Sequence, residues 1–148
     1  MREILFRGKR KDNGEWVYGY YEFYNGGHYI NIQIDRVNSG GYPIREFIEI
    51  DPSTVGQYTG LTANGTKIFE DDIVKCTDTF SDYELFIAVV MFGNPKGEYN
   101  WGFQLNRISG ANANTDILLW VDVEETGAFI EIIGNIHDNP ELLKGGAE

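Results

Sequence analysis

Apolar and polar residues alternate along much of the chain, in short runs that are separated by turn residues. The clearest run is Tyr29–Ile34, where isoleucines occupy every second position and Asn31 and Gln33 lie between them. Successive side chains of a strand point to opposite faces, so this pattern predicts a strand with one face in a core. Such runs recur to the end of the chain and predict a mostly β fold.

Glycine-containing turns separate the first predicted strands. Ile4–Phe6 and Trp16–Tyr24 flank Asp12-Asn13-Gly14-Glu15, and Asn25-Gly26-Gly27 follows the second of them. Asn-Gly readily adopts the positive φ angles of tight hairpin turns. These residues predict antiparallel hairpins in the N-terminal part. A further strand is predicted at Phe47–Ile50, and we expect its pairing to stop at Pro52, because proline has no amide proton to donate.

The second half of the chain continues the same pattern. Its longest apolar run, Phe86–Phe92, predicts a central strand, and Asn139 before Pro140 is typical of the start of a helix of about one turn. We therefore expect very little helix. Further strands are predicted at Ile73–Cys76, Trp101–Leu105, Ile117–Val123 and Phe129–Ile133.

The strand Trp16–Tyr24 is apolar on both of its faces. Trp16, Tyr18 and Tyr20 share one face, and Val17, Tyr21 and Phe23 share the other. Partly exposed aromatic residues are common anchors of protein interfaces. We expect Trp16, Tyr18, Tyr20 and Tyr21 to contribute to an interface with a protein partner or with a second copy of the chain. The alternative is that both faces are buried within the monomer.

Composition limits the class of protein. The chain has 148 residues, of which 42% are hydrophobic and 14% aromatic, so it is long enough and apolar enough to fold around a core. A lone cysteine, Cys76, forms no intramolecular disulfide, and the first residues contain no long apolar segment of the kind found in signal peptides. No apolar run approaches the roughly 20 residues of a membrane-spanning helix. We expect a cytoplasmic protein with no contact with a membrane.

Charge argues against nucleic acid as the main partner. The net charge is −11, from 12 basic and 23 acidic residues, and such a surface repels phosphate backbones. The basic run is Arg7-Gly8-Lys9-Arg10-Lys11, with Asp12 directly after it. We interpret it as a solvated hairpin rim, and a nucleic-acid-binding regulator that uses Arg7–Lys11 is the alternative.

Candidate catalytic and metal-binding residues are sparse. Glu70-Asp71-Asp72 offers oxygen ligands of the kind that Mg²⁺ and Ca²⁺ prefer, and Glu70 and Asp72 would share a face if this segment were extended. The histidines His28 and His137 and the thiol of Cys76 lack the paired spacing of zinc sites. Cys76 shares a predicted strand face with Val74 and is expected in the core.

Neither a nucleophile motif around Ser53 or Ser109 nor a phosphate-binding loop is present. We therefore expect no cofactor and no bound metal, and we expect the protein not to be an enzyme. A metal-dependent enzyme of unrecognised type, with carboxylates of Glu70 and Asp72 as ligands, is the alternative.

Four motifs stand out along the chain: Phe6-Arg7-Gly8-Lys9, Gly14-Glu15-Trp16-Val17-Tyr18-Gly19, Val55-Gly56-Gln57-Tyr58-Thr59-Gly60, and Gly134-Asn135-Ile136 followed by Asn139-Pro140-Glu141-Leu142. In their sequence and order they resemble the YopX family of small proteins encoded mainly by bacteriophages and prophages. In this chain, Asp71 stands where the family usually has the glycine of Glu-Gly-Asp-Ile-Val, which bears on the turn before Ile73.

The resemblance implies an all-β protein without an established activity. It implies one YopX-like domain over residues 1–143, with N-terminal hairpins over about 1–52 and a part similar to a small SH3-like barrel over about 53–143. A disordered tail is expected at 144–148. The favoured function is that of a non-enzymatic phage or prophage accessory protein that acts by protein binding or self-association in the cytoplasm of the bacterial host.

Overall fold

The computed structural model describes residues 4–78, 84–93, 102–110 and 128–144. In these residues the chain is mostly β, as predicted, and its sheets are antiparallel. It divides into two compact units, residues 1–58 (unit 1) and 59–148 (unit 2). The boundary between the units lies within a strand, six residues after the position expected between residues 52 and 53.

Unit 1 is built from four strands. They are β1 (Phe6–Arg10), β2 (Trp16–Tyr24), β3 (Gly27–Val37) and β4 (Pro43–Ala63), whose last residues belong to unit 2. The first half of β2 pairs with β1 and its second half pairs with β3. In the same way, β4 pairs first with β3 and then with β1. The pairings therefore form a closed circuit, β1-β2-β3-β4 and back to β1.

The interior of unit 1 is formed by the isoleucines of β3 and β4. Ile30 and Ile50 are fully buried, and Ile48 is 7% exposed. Gly8 lies against this core, and a Cβ atom at Gly8 would be only 2.6 Å from Cδ1 of Ile50. Glycine at position 8 therefore lets β1 pack closely on Ile50, and a larger residue there would displace the Ile50 side chain.

The predicted turns of unit 1 are confirmed. At Asn13-Gly14 the amide of Gly14 donates to the carbonyl of Arg10 at 2.9 Å, and Gly14 has a φ of 74°. Between β2 and β3, Asn25 and Gly26 have φ angles of 50° and 78°. Two adjacent residues with positive φ form the type I′ turn that matches the twist of a hairpin.

Pairing with β1 is interrupted after Asp51, as the proline predicted, but the strand does not end there: β4 continues and its pairing resumes at Gly56. The register against β1 passes from Lys9 opposite Asp51 to Arg7 opposite Gly56, so the residues around Pro52 form a bulge. Asp51 accepts a hydrogen bond from the amide of Ser53, and Thr54 Oγ1 accepts one from the amide of Lys9 at 2.8 Å. Proline is tolerated at a bulge because its missing amide proton is not needed there.

Unit 2 contains five further strands in its described residues. They are β5 (Thr66–Phe69), β6 (Asp72–Asp78), β7 (Glu84–Gly93), β8 (Gly102–Gly110) and β9 (Ala128–Asn135), and a short 3-10 helix follows at Pro140–Lys144. Four of the strands form a sheet of order β8-β7-β6-β9. β7 is thus a central strand, as the apolar run Phe86–Phe92 predicted.

The end of β4 and the strand β5 form a hairpin in unit 2. The core of this unit is formed by residues of that hairpin and of one side of the four-stranded sheet. Its buried members are Ala63, Ile68, Val74, Cys76, Phe86, Ala88, Val90, Leu105 and Ile130. The described strands do not confirm an SH3-like barrel in this part. The strand predicted at Ile117–Val123, and residues 145–148 of the expected tail, lie outside the described residues, whereas Lys144 ends the 3-10 helix.

Candidate functional site

The outer face of unit 1 carries a group of aromatic side chains. Residues that pair directly across strands point to the same side of a sheet. Tyr20 of β2 is opposite Asn31 of β3, and Asn31 is opposite Phe47 of β4. Two residues further along, and so on the same side, Glu22 is opposite Tyr29. We call this surface, with Tyr18 and Tyr24 on the same side of β2, the aromatic face.

The aromatic face is largely open to solvent. The exposed fractions are 47% for Tyr18, 53% for Tyr20, 68% for Tyr24 and 55% for Phe47. These side chains lie on β2 and β4, the two strands that flank β3, and Tyr29 of β3 lies on the same side between them, so they form one patch and are not scattered single residues. A contiguous exposed apolar patch of this kind is typical of an interaction surface.

A cleft of about 350 Å³ opens on this face, and its described lining residues are Glu22, Tyr24, Tyr29 and Phe47. Beside it, Nδ2 of Asn31 donates a hydrogen bond of 3.0 Å to Oε1 of Glu22. Asn31 is only 6% exposed, and its Oδ1 atom is buried without a hydrogen-bond partner in the described residues. The carboxylate of Glu22 is therefore held by a buried amide whose position the sheet determines.

The four aromatic residues expected at an interface do not form a single surface. Tyr18 and Tyr20 lie on the aromatic face, whereas the half-buried Trp16 is covered by Arg7, whose guanidinium carbon is 4.6 Å from the centroid of the Trp16 ring. Tyr21 points to the other side of β2, where its hydroxyl and Nδ1 of His28 are 2.5 Å apart. Tyr21 also lies beside Phe6, with ring centroids 5.9 Å apart.

Three members of this surface were not predicted from the sequence, namely Phe47, Tyr24 and Tyr29. The signal for Phe47 was present in the sequence, because Ile48 and Ile50 occupy the buried face of β4 and residues 47 and 49 must therefore point outward. Tyr24 follows the same alternation as Tyr18 and Tyr20. Tyr29 joins them only through the pairing of β3 with β2, which the local pattern does not specify.

The basic run Arg7–Lys11 is engaged by its own unit. Arg7 is 6% exposed, and Lys9 Nζ lies 5.5 Å from the centroid of the Trp16 ring. Arg10 donates two hydrogen bonds to the carboxylate of Asp12, at 2.9 and 2.8 Å. The hydrogen bond from Arg10 lowers the pKa of Asp12 and raises the pKa of Arg10 itself.

The three carboxylates at Glu70-Asp71-Asp72 lie in a turn and not in an extended segment, so Glu70 and Asp72 do not share a strand face. Asp72 is 2% exposed and its Oδ2 accepts a hydrogen bond from the amide of Phe69 at 2.8 Å. Asp71 has a φ of 74°, and its amide donates to the carbonyl of Val90. Among the described residues, no group of three His, Cys, Asp or Glu side chains is placed to hold a metal ion.

The remaining candidate side chains have structural partners. His137 contacts Asp71, with Nε2 3.1 Å from Oδ2. Cys76 is fully buried in the core of unit 2, as predicted, and burial raises the pKa of its thiol to about 11. Ser53 donates to Oδ1 of Asp51 at 2.8 Å within the bulge of β4. No helix in the described part of the chain has the length and apolarity needed to cross a membrane.

The C-terminal motif Gly134–Asn139 forms a hydrogen-bonded turn. Oδ1 of Asn135 accepts hydrogen bonds from the amides of His137 and Asp138, at 3.0 and 2.9 Å. Gly134 packs so closely on Asn139 that a Cβ atom there would be 2.4 Å from Oδ1 of Asn139. The amide of Ile136 donates to the carbonyl of Asp71. This motif therefore joins the end of β9 to the turn before β6, which is a structural role.

A comparison with family models matches residues 5–144 to the YopX protein family. No curated protein and no solved structure matches the chain.

Proposed function

The chain belongs to the YopX family, and from that premise we propose that it is a non-enzymatic phage or prophage accessory protein that binds another protein through the aromatic face. The observation that carries the proposal is the exposure of Tyr20, Tyr24 and Phe47 on one side of a sheet, on the two strands that flank β3. We place the protein in the cytoplasm of the bacterial host, where a lone thiol stays reduced.

The physical argument rests on desolvation. Aromatic side chains have large apolar areas and few rotatable bonds, so their burial by a partner is favourable and costs little conformational entropy. The backbone that presents them is held in a closed circuit of strand pairings. A rigid, preformed surface needs little ordering on binding, and this raises the affinity that a given buried area supplies.

Charge supports a protein partner over nucleic acid. The net charge of −11 opposes the approach of phosphate, and the basic run of β1 is engaged by Trp16, Asp12 and Glu49 of its own unit. Unit 2 likewise uses Asp71, Asp72 and His137 to build turns. These contacts support a binding protein over either alternative.

The test is capture of a partner from a lysogenic or infected host, with the wild-type chain and a Tyr20→Thr/Phe47→Thr variant as paired baits. Threonine retains a high strand propensity at both positions because it is β-branched. Tyr42→Thr is the matched control because Tyr42 is 70% exposed in the loop between β3 and β4. We expect a protein that the wild type and the control retain and the double variant loses.

Light scattering of the same three proteins distinguishes a partner from a second copy of the chain. A dimer that only the double variant loses would identify self-association through the aromatic face. Equal capture by all three baits, with a monomeric mass for each, would contradict the proposal.

A further inference from the structure

We infer that the cleft on the aromatic face is a binding site for a positively charged side chain, a lysine or an arginine, of the protein partner. The inference rests on the proposed function and names the chemistry that the surface would recognise. The described lining of the cleft is three aromatic rings, Tyr24, Tyr29 and Phe47, and one carboxylate, Glu22. Aromatic faces attract cations through their quadrupole, and a carboxylate adds a charge partner.

The position of Glu22 is determined by Asn31. The amide of Asn31 must present its nitrogen to Glu22, because a carboxylate only accepts hydrogen bonds, and the two atoms are 3.0 Å apart. Asn31 is 94% buried and lies on β3, between the strands of Tyr20 and Phe47. Burial of a side-chain amide costs free energy unless hydrogen bonds offset it, and the bond to Glu22 is such a hydrogen bond. It holds the Glu22 carboxylate beside the cleft, so that the anionic group is in place before a ligand arrives.

The same face already shows an intramolecular example of this chemistry. The guanidinium carbon of Arg45 lies 5.8 Å from the centroid of the Tyr20 ring, at the far side of Asn31 from the cleft. On the other side, Glu49 is opposite Tyr29, and its carboxylate is 3.4 Å from Nζ of Lys11, with both side chains half exposed. Glu22 has no cation among the salt bridges found in the described residues.

Volume and charge also fit a basic side chain. The cleft of about 350 Å³ is large enough for an arginine side chain and small enough to exclude a folded element, so it would receive one side chain of a larger interface. The net charge of −11 favours the approach of a basic segment at long range. An acidic or purely apolar segment would desolvate the Glu22 carboxylate without supplying a cation to balance its charge.

The experiment uses the full-length chain and a small probe, Nα-acetyl-arginine amide, followed by NMR through the aromatic signals of Tyr24, Tyr29 and Phe47. The uncharged analogue is Nα-acetyl-citrulline amide, which has nearly the same shape. We expect saturable shifts with the arginine probe alone. Glu22→Gln should weaken binding roughly fivefold, as for loss of a partly exposed ion pair beside aromatic rings.

The matched control is Glu46→Gln, which removes the same charge from the exposed opposite face of β4. It should leave the affinity unchanged, whereas equal weakening by both variants would indicate a general charge effect and overturn the inference. Equal binding of the arginine and citrulline probes, or no binding, would also overturn it. Shifts of the same signals that depend on protein concentration without probe would assign the face to a second copy of the chain.

The cation inference and the proposed function fail in different ways. Loss of partner capture with Tyr20→Thr/Phe47→Thr, together with full capture by Glu22→Gln, would leave protein binding in place and remove the cation site. Full capture by both variants would contradict the proposed function itself. Selective loss of capture with Glu22→Gln, compared with Glu46→Gln, supports both.

Discussion

His137 and Asp71 are 66 positions apart in the chain, and their side chains meet with Nε2 3.1 Å from Oδ2. Asp71 occupies the position at which YopX sequences usually have glycine, and its φ of 74° retains the left-handed conformation that glycine adopts most easily. The turn is also held by backbone hydrogen bonds from Asp71 to Val90 and from Ile136 to Asp71. The departure from the family motif therefore preserves the turn and adds a side-chain contact.

We predict that Asp71→Ala lowers the free energy of unfolding by about 1–3 kcal/mol. Alanine adopts a positive φ less readily than aspartate does, and it loses the contact with His137. Asp71→Gly loses the same contact but relieves the backbone, so it should be about 1 kcal/mol more stable than the alanine variant. Urea unfolding of the three proteins measures both differences. Equal stabilities of the glycine and alanine variants would contradict a left-handed conformation at this residue.

Tyr20 and Tyr21 are adjacent in the chain but are predicted to respond differently to substitution. Tyr20→Thr removes an exposed ring and should change the free energy of unfolding by no more than about 0.5 kcal/mol. Tyr21→Thr removes a half-buried ring that contacts Phe6 and His28, and should cost about 1–3 kcal/mol. Thermal or urea unfolding measures both. A larger cost at Tyr20 would show that the aromatic face is part of a core.

Cys76 is predicted to be unreactive in the native protein, because burial raises its thiol pKa to about 11 and excludes reagents. A thiol-reactive chromophore should label it only upon unfolding in urea. Fast stoichiometric labelling of the native chain would show that Cys76 is accessible.

The same shift makes stability depend on pH. An unfolded chain releases the thiol proton near pH 9.0, and the folded chain retains it up to about 11, so the contribution is complete below pH 9.0 and is lost as pH rises towards 11. The loss is at most about 1.4 kcal/mol per pH unit. The measurement is the free energy of unfolding against pH for the wild type and Cys76→Ala, and we expect the variant's curve to fall less steeply between pH 9.0 and 11.

Asp12 is predicted to titrate below its ordinary value of 3.8, because Arg10 donates two hydrogen bonds to its carboxylate. A depressed folded pKa stabilises the native state above the unfolded value, and this contribution is lost as pH falls through the folded pKa. An NMR titration of the Asp12 carboxyl carbon measures it, with Arg10→Met as the comparison. Identical titration curves in the two proteins would show that the pair does not persist in solution.

Local sequence determined the strands, several turns and the burial of Cys76. Alternation with a period of two predicted β3, and Asn25-Gly26 predicted the turn before it, because only a few residue types adopt two consecutive positive φ angles. The same alternation in β4 implies that the side chain of Phe47 points outward. These features depend on the backbone preferences of neighbouring residues, so they can be deduced without knowledge of any distant contact.

Tertiary structure decided which strands meet and therefore what forms the cleft. Pairing of β1 with both β2 and β4 carries the chain through Pro52 as a bulge, and no local pattern specifies this pairing. Pairing of β3 with β2 and β4 places Glu22, Tyr29 and Phe47 around one cleft, although they are separated by up to 25 positions. The choice of partners depends on the summed burial of many side chains, and this sum exists only in the folded unit.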